Sequence, residues 1–262
     1  MKPQMLLFLC KMPFVAACEK ELDFKYHDID PIPVIEGSVT QEGAKVSLTN
    51  TTPMDVPMDT VRFTDASIIL HDLTDGNSRN LMPDASGYFR SDIPGIPGHE
   101  YRLEVQRNGK EYYSECKMRG AVEILETRFQ WIDMTYDDVA VFKVMFKGSD
   151  DSKEYYWVRL YRNGEPYMWS VVGRPAPEDG IYSTVFMTSR KDADQEDDKK
   201  VLKDGDVVSV SVTPISLEMA DYLAALSANS SGPRMFQGDF CLGYFVASEI
   251  SSKTIVYHPD EF

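Results

Sequence analysis

Short runs of alternating apolar and polar residues, separated by turn residues, constrain the fold of this chain most strongly. Two of the turns are Asn-Gly pairs, Asn108-Gly109 and Asn163-Gly164, and each lies between two such runs. An Asn-Gly pair in that position predicts a two-residue β-hairpin, because both turn residues must adopt positive φ. Many short strands with this punctuation are typical of β-sandwiches.

The pattern predicts a mainly β protein of two β-sandwich modules, immunoglobulin-like or transthyretin-like. It restarts around Gly120, so we predict an N-terminal sandwich over 32–120 and a C-terminal β-rich domain over 121–262. Residues 173–182 and 189–206 are predicted to be loops. The predicted strands are 33–40, 45–50, 67–72, 79–82, 88–91, 100–107 and 110–118 in the first module, and 122–131, 139–147, 154–162, 165–172, 207–215, 241–248 and 253–257 in the second.

One short helix near the C-terminus is predicted at about 217–228. Ser216 can cap its first turn, and Glu218 is favourable there because the helix N-terminus carries a partial positive charge. Residues at helical spacing supply one apolar face. They are Met219, Tyr222, Leu223 and Leu226.

The turn of the first hairpin fixes its register. A two-residue turn pairs Arg107 with Lys110, and each earlier residue then pairs with a later one. Tyr101, Leu103 and Val105 share one face and are expected to be buried, whereas the opposite face is charged. The buried face pairs them with Cys116, Ser114 and Tyr112 respectively.

The same rule applied to the second hairpin pairs Arg162 with Glu165. The core face is then expected to contain three cross-strand pairs. They are Leu160 with Tyr167, Val158 with Trp169, and Tyr156 with Val171.

The opposite face of the second hairpin is a candidate partner or ligand face. It carries Tyr155, Trp157, Arg159 and Tyr161 on one strand and Met168 on the other. Aromatic residues, Met and Arg are enriched at protein interfaces, and flat rings also suit sugar or peptide ligands. The alternative is that this face packs under the following loops or against the first module, as the covered sheets of sandwiches do.

The N-terminal stretch predicts a lipid anchor at Cys18. A short apolar segment ends in Val15, Ala16 and Ala17, which looks like a bacterial lipobox, and acidic and polar residues follow the cysteine. Residues 1–17 are expected to be a signal peptide and 18–31 a lipidated tether. An ordinary secretory signal with an incidental cysteine is the alternative. Lys11 interrupts the apolar run and leaves the start site open.

The charge of the chain argues against two kinds of partner. Its formal net charge is −15, which repels the phosphate backbone of nucleic acids. The same charge disfavours electrostatic binding of lysine side chains to anionic lipid. No later stretch approaches the roughly 18 consecutive apolar residues of a spanning helix.

The sequence contains no recognisable catalytic or metal-binding motif. The four histidines are scattered, and there is no Gly-x-Ser-x-Gly elbow or phosphate-binding Gly-rich loop. The acidic run at 192–198 fails the calcium-loop template, because Asp197 and Lys203 occupy the positions of the Gly and the bidentate Glu. We therefore expect a protein that is not an enzyme and has neither a metal nor a cofactor.

Cys116 and Cys241 remain once the signal peptide, which contains Cys10, is removed and Cys18 carries lipid. Two cysteines do not make a disulfide framework, so we expect two small buried hydrophobic side chains. Pairing in an oxidising compartment is the alternative.

Six short segments, taken in their order along the chain, resemble those of a known family. They are 18–23 (CEKELD), 34–37 (VIEG), 87–89 (GYF), 97–103 (PGHEYRL), 221–223 (DYL) and 243–248 (GYFVAS). In this order they resemble the Bacteroidota lipoproteins grouped as domain of unknown function 4249. The resemblance implies a lipoprotein of the outer membrane or cell surface, commonly associated with TonB-dependent receptor systems. It brings no established catalytic residues.

These observations lead to two functional hypotheses. The first is a lipid-anchored binding or accessory protein that works with a TonB-dependent nutrient-uptake receptor. The second is a structural or adhesive surface subunit, such as a fimbrillin-like protein. Assembly by strand donation would need a removable leading strand, and no obvious processing site after Cys18 separates one.

Overall fold

The structure is a computed structural model that describes residues 30–52, 61–133, 138–149, 154–189 and 201–261. These residues form two β-sandwich modules with one α-helix, which confirms the predicted fold class. The strands are β1 (Pro33–Thr40), β2 (Gly43–Asn50), β3 (Ser67–Asp72), β4 (Asn77–Asn80), β5 (Met82–Pro83), β6 (Phe89–Ser91), β7 (Glu100–Arg107), β8 (Lys110–Lys117), β9 (Glu123–Asp133), β10 (Asp138–Lys147), β11 (Tyr155–Arg162), β12 (Glu165–Val172), β13 (Ile181–Ser189), β14 (Val207–Ile215), β15 (Gln237–Gly238), β16 (Leu242–Ala247) and β17 (Ser251–Val256). The helix is α1 (Leu217–Ser227), and a 3₁₀ turn spans Pro259–Glu261.

The first module packs two five-stranded sheets face to face. Their strand orders are β16-β1-β2-β6-β5 and β15-β8-β7-β3-β4. Alternate side chains of both sheets point inward and form one apolar core, as expected for a sandwich. The largest fully buried side chains of this core include Phe89, Tyr101 and Phe236.

The first Asn-Gly hairpin has the predicted register. β7 and β8 pair with Arg107 opposite Lys110 at the turn. Asn108 and Gly109 have φ of 52° and 74°, the left-handed conformation that the sequence indicated. Leu103 is completely buried, so the predicted core face is confirmed.

The C-terminal part of the chain crosses back into the first module. β16 pairs in parallel with β1, and β15 pairs with β8. Phe236, Cys241 and Phe245 lie in the core of the first module. The predicted division into 32–120 and 121–262 is therefore wrong for this segment, because its apolar side chains complete the first sandwich.

The second module packs a sheet of order β13-β10-β9 against one of order β12-β11-β14-β17. Its core is rich in aromatic rings, and Phe146 lies edge-on to Tyr156 with ring centroids 4.9 Å apart. Two strands, β13 and β15, are absent from the sequence prediction. β13 begins inside the first predicted loop and pairs along its length with β10.

The single helix begins where its cap predicts. The Oγ of Ser216 accepts a hydrogen bond from the backbone N–H of Met219 at 3.2 Å. The buried stripe consists of Met219, Ala220 and Leu223, whereas Leu226 is 50% exposed. The predicted apolar face is therefore wrong at Leu226. The helix packs against the protein through its earlier residues, and Leu226 lies beyond that contact.

Several sequence predictions lie outside the described residues. They are the signal peptide at 1–17, the lipidation site Cys18, nearly all of the tether at 18–31, and the acidic run at 192–198. In the part of the chain that is described, no helix has the length and apolarity needed to cross a membrane.

Candidate functional site

A β-bulge in β12 decides which side chains lie on each face of the second hairpin. Tyr167 is an extra residue in the pairing, so Met168 lies opposite Leu160 and Trp169 lies opposite Arg159. One extra residue in a strand moves every later side chain to the other face of the sheet. The register predicted from the two-residue turn is therefore wrong beyond Pro166.

Because of the bulge, one residue of the predicted partner face, Met168, lies on the opposite side of the sheet. Met168 packs against the core of the second module and does not belong to that face. Tyr167 packs against the same core, and two consecutive residues can point to one side only where the pleat is interrupted. Trp169, predicted to be in the core opposite Val158, takes the outward position and is 41% exposed.

The candidate face therefore consists of Tyr155, Trp157, Arg159, Tyr161 and Trp169, and we call it the aromatic face. The first four alternate along β11 and share one side of the sheet, and Trp169 joins them from β12. Among the four, Trp157 is the most buried, at 9% exposure, while the others are partly exposed.

The helix and β16 cover one end of the aromatic face. Trp157 packs with Met219 of α1 and Val246 of β16. Its ring lies edge-on to that of Tyr244 with centroids 5.8 Å apart. The aromatic face is therefore closed against the first module at Trp157 and open at Trp169.

A cavity of about 260 Å³ lies along the open part of the aromatic face. Its walls come from β11 and β12 and include Arg159, Tyr161 and Trp169. Arg159 is the only charged residue of the wall. Met168 also borders the cavity, although it packs on the core side of β12. The other lining residues are Trp157, Leu160, Pro166 and Tyr167. An apolar concave surface with one placed polar group is the usual form of a small-molecule site.

The Arg159 side chain is held in place by neutral neighbours. Its Cζ lies 4.2 Å from the centroid of the Trp157 ring, a cation–π contact. Its Nη2 donates to Thr213 Oγ1 at 3.1 Å. The Nε atom is buried and has no hydrogen-bond partner in the described residues. The guanidinium is therefore fixed in orientation, and no acidic side chain of the described residues pairs with it.

The Tyr244 side chain next to Trp157 is uncharged. Burial raises the pKa of the Tyr244 phenol, and the nearby Glu36 carboxylate raises it further. The phenol therefore keeps its proton throughout the neutral range, and the positive charge of this region comes from Arg159.

A second group of polar side chains, Asp72, Asp75 and His99, was missed by sequence reasoning. Their potential metal-binding atoms lie within 4.8 Å of one another. No spacing rule finds this group, because His99 bonds a carboxylate 27 residues away in sequence. It is the only group of this kind among the described residues.

Hydrogen bonds within the protein already satisfy Asp72. Its carboxylate accepts from His99 Nδ1 at 2.9 Å and from the backbone N–H of Thr74 at 3.1 Å. Burial would raise the pKa of Asp72, but these hydrogen bonds outweigh it and hold the pKa below its usual value. The group therefore fixes the turn after β3 to the segment before β7.

The two remaining cysteines are unpaired, as predicted, and both lie in the first module. Burial raises the pKa of the Cys116 thiol and raises the pKa of Cys241 to about 12. Cys116 Sγ also accepts the backbone N–H of Ala247 at 3.3 Å, which ties β8 to β16. Because the thiolate is the reactive form, burial lowers the reactivity of both thiols near neutral pH.

Fold and site together define a two-module β-sandwich protein with a partly open aromatic face. The family described as "Domain of unknown function (DUF4249)" matches residues 19–255, so the chain belongs to that family. Among solved structures the chain is similar to a two fibronectin type-III domain segment from chicken tenascin, with 14% identity and a TM-score of 0.26 over 87% of this chain and 100% of that chain. No curated protein matches the sequence.

Proposed function

We propose that this protein is a lipid-anchored binding or accessory protein of the outer membrane, exposed at the cell surface, that works with a TonB-dependent nutrient-uptake receptor. The observation that carries the proposal is the partly open aromatic face. Trp169, Tyr161 and Arg159 belong to the residue types that dominate binding hot spots. They surround a concave apolar surface rather than standing singly.

The first hairpin supports this assignment by contrast. It has the same Asn-Gly turn, yet its equivalent face carries charged pairs such as Arg102 with Glu115, 3.6 Å apart. The aromatic composition of the second hairpin is therefore not a requirement of the shared backbone plan. Packing against α1 and β16 accounts for Trp157, and a binding role accounts for the exposed Trp169 and the half-buried Tyr161.

The overall charge is consistent with attachment through lipid. A chain with a net charge of −15 gains nothing electrostatically from an anionic bilayer surface. Several acyl chains at Cys18 would hold the body at the membrane, whereas a single chain binds only marginally.

Replacement of Cys18 with serine should release the protein from the membrane. Serine offers no thiol for acylation, so fatty-acid labelling should disappear and the protein should move to the aqueous fraction. The measurement is fractionation of cells with metabolic labelling, and Cys116→Ser, which removes a different thiol, is the control. Unchanged membrane fractionation of Cys18→Ser would contradict the lipid anchor.

The receptor partnership is tested by affinity purification from detergent-solubilised outer membranes. We expect mass spectrometry to identify a TonB-dependent receptor with the wild-type protein and a strongly reduced amount with Trp169→Ala. Ile132→Ala is the matched control, because Ile132 is 42% exposed on a different sheet. Recovery of fibre subunits instead of a receptor would favour the structural alternative.

A further inference from the structure

Among the described residues, no acidic side chain forms an ion pair with Arg159. Arg162, on the same strand, bonds Asp206 at 2.6 Å, and Arg107 of the first module bonds Asp65 at 2.7 Å. No ion pair formed by the described residues includes Arg159, although the chain has 42 acidic residues and only 27 lysines and arginines. Partly buried charges are normally paired, so an unpaired guanidinium here is an open position for an anion.

The cavity next to Arg159 limits the size of that anion. Its volume of about 260 Å³ is below the roughly 300–1,000 Å³ of sites for drug-sized ligands. It therefore suits a small molecule rather than an extended chain. The strong negative charge of the whole protein also disfavours a polyanion, which would be repelled beyond the immediate site.

The walls of the cavity define the rest of the ligand. Trp169 and Tyr161 offer ring surfaces, and the rest of the lining is largely apolar. It consists of Trp157, Leu160, Pro166, Tyr167 and Met168. Flat apolar groups pack well against such rings, whereas a heavily hydroxylated body would lose hydrogen bonds to water on entering. A planar guanidinium binds a carboxylate with two parallel hydrogen bonds when two of its N–H groups are accessible.

We propose that this cavity binds a small carboxylate whose body is a flat apolar ring, with the carboxylate on Arg159 and the ring among Tyr161 and Trp169. The inference rests on the proposed binding function and names the ligand class of the same site. The contact of Arg159 with Trp157 and Thr213 holds the guanidinium in place before the ligand arrives, which lowers the entropic cost of binding.

The test compares benzoate with its neutral isostere benzamide, using ligand-detected NMR titration of the full-length protein in detergent. We expect benzoate to bind with a dissociation constant below about 1 mM. Benzamide should bind about tenfold or more weakly, because it is neutral and offers the guanidinium one acceptor oxygen instead of the two of a carboxylate. Arg159→Gln should weaken benzoate binding to the level of benzamide.

Arg128→Gln is the matched control, because it removes an arginine that pairs with Glu126 on another sheet. It should leave benzoate affinity unchanged. Equal binding of benzoate and benzamide by the wild-type protein would overturn the inference without any variant. So would an unchanged affinity in Arg159→Gln, or no benzoate binding up to about 1 mM.

Glucuronate separates the ring chemistry from the charge. Binding of glucuronate more tightly than benzoate would overturn the apolar body of the ligand. Benzoate binding without any receptor in the affinity purification would leave this inference standing and remove the receptor partnership. Receptor recovery without benzoate binding would leave the receptor partnership standing and remove this inference.

Discussion

Replacement of Gly243 with alanine should strongly destabilise the first module. Gly243 lies in β16 with a φ of 109°, a conformation that L side chains rarely adopt. A Cβ atom there would stand 1.9 Å from the carbonyl oxygen of Ile35 on the adjacent strand. Backbone strain and overlap together should cost about 3–5 kcal/mol, a large part of the stability of a single domain.

Hydrogen exchange of the β1 and β2 amides measures this effect. Gly76→Ala is the control, because Gly76 also has positive φ, 72°, but a Cβ there meets nothing within 4 Å. This control measures the strain of positive φ without steric overlap, and it should lower the free energy of unfolding by about 1–2 kcal/mol. Equal exchange rates in the two variants would mean that pairing with β16 does not hold the first sheet together.

Replacement of Trp157 with alanine should destabilise the protein by about 3–5 kcal/mol, as expected for a buried aromatic ring. Trp157 is 9% exposed and fills the space between β11, α1 and β16. Its loss leaves a cavity at the junction of the two modules. Urea unfolding followed by circular dichroism measures the change.

Trp169→Ala is the matched control, since Trp169 is the same residue type on the same face but 41% exposed. It should unfold within about 1 kcal/mol of the wild type, as most substitutions of exposed residues do. If both variants lose the same stability, the aromatic face is covered as a whole and the open cavity has no functional meaning. If Trp157→Ala is silent, the packing at the module junction is not what holds α1.

The candidate site was predicted only in part. The alternation of Tyr155, Trp157, Arg159 and Tyr161 follows from strand geometry, and the structure places all four on one side of β11. Their burial could not be predicted, because α1 and β16 reach Trp157 through contacts between distant parts of the chain. The binding role of the face stays a prediction.

The bulge shows where local rules fail. The Asn163-Gly164 turn correctly pairs Arg162 with Glu165, yet Tyr167 shifts the register two residues later. Nothing in the strand sequence marks a bulge, because it arises where both Tyr167 and Met168 pack against the core. Because Tyr167 is the extra residue, Met168 lies on the core side and Trp169 on the outward side, the reverse of the prediction.

The sequence by itself determined the features that depend on neighbouring residues. Turn chemistry set both hairpins, alternation set the core face of β7 and β8, and Ser216 set the start of α1. Tertiary structure alone decided the parallel pairing of β16 with β1, the contact of Asp72 with His99, and the covering of Trp157. The physical reason is that these contacts join segments far apart in the chain, which no local pattern encodes. Apolar burial stabilises the strand pairing and the covering of Trp157, whereas a hydrogen bond stabilises the contact of Asp72 with His99.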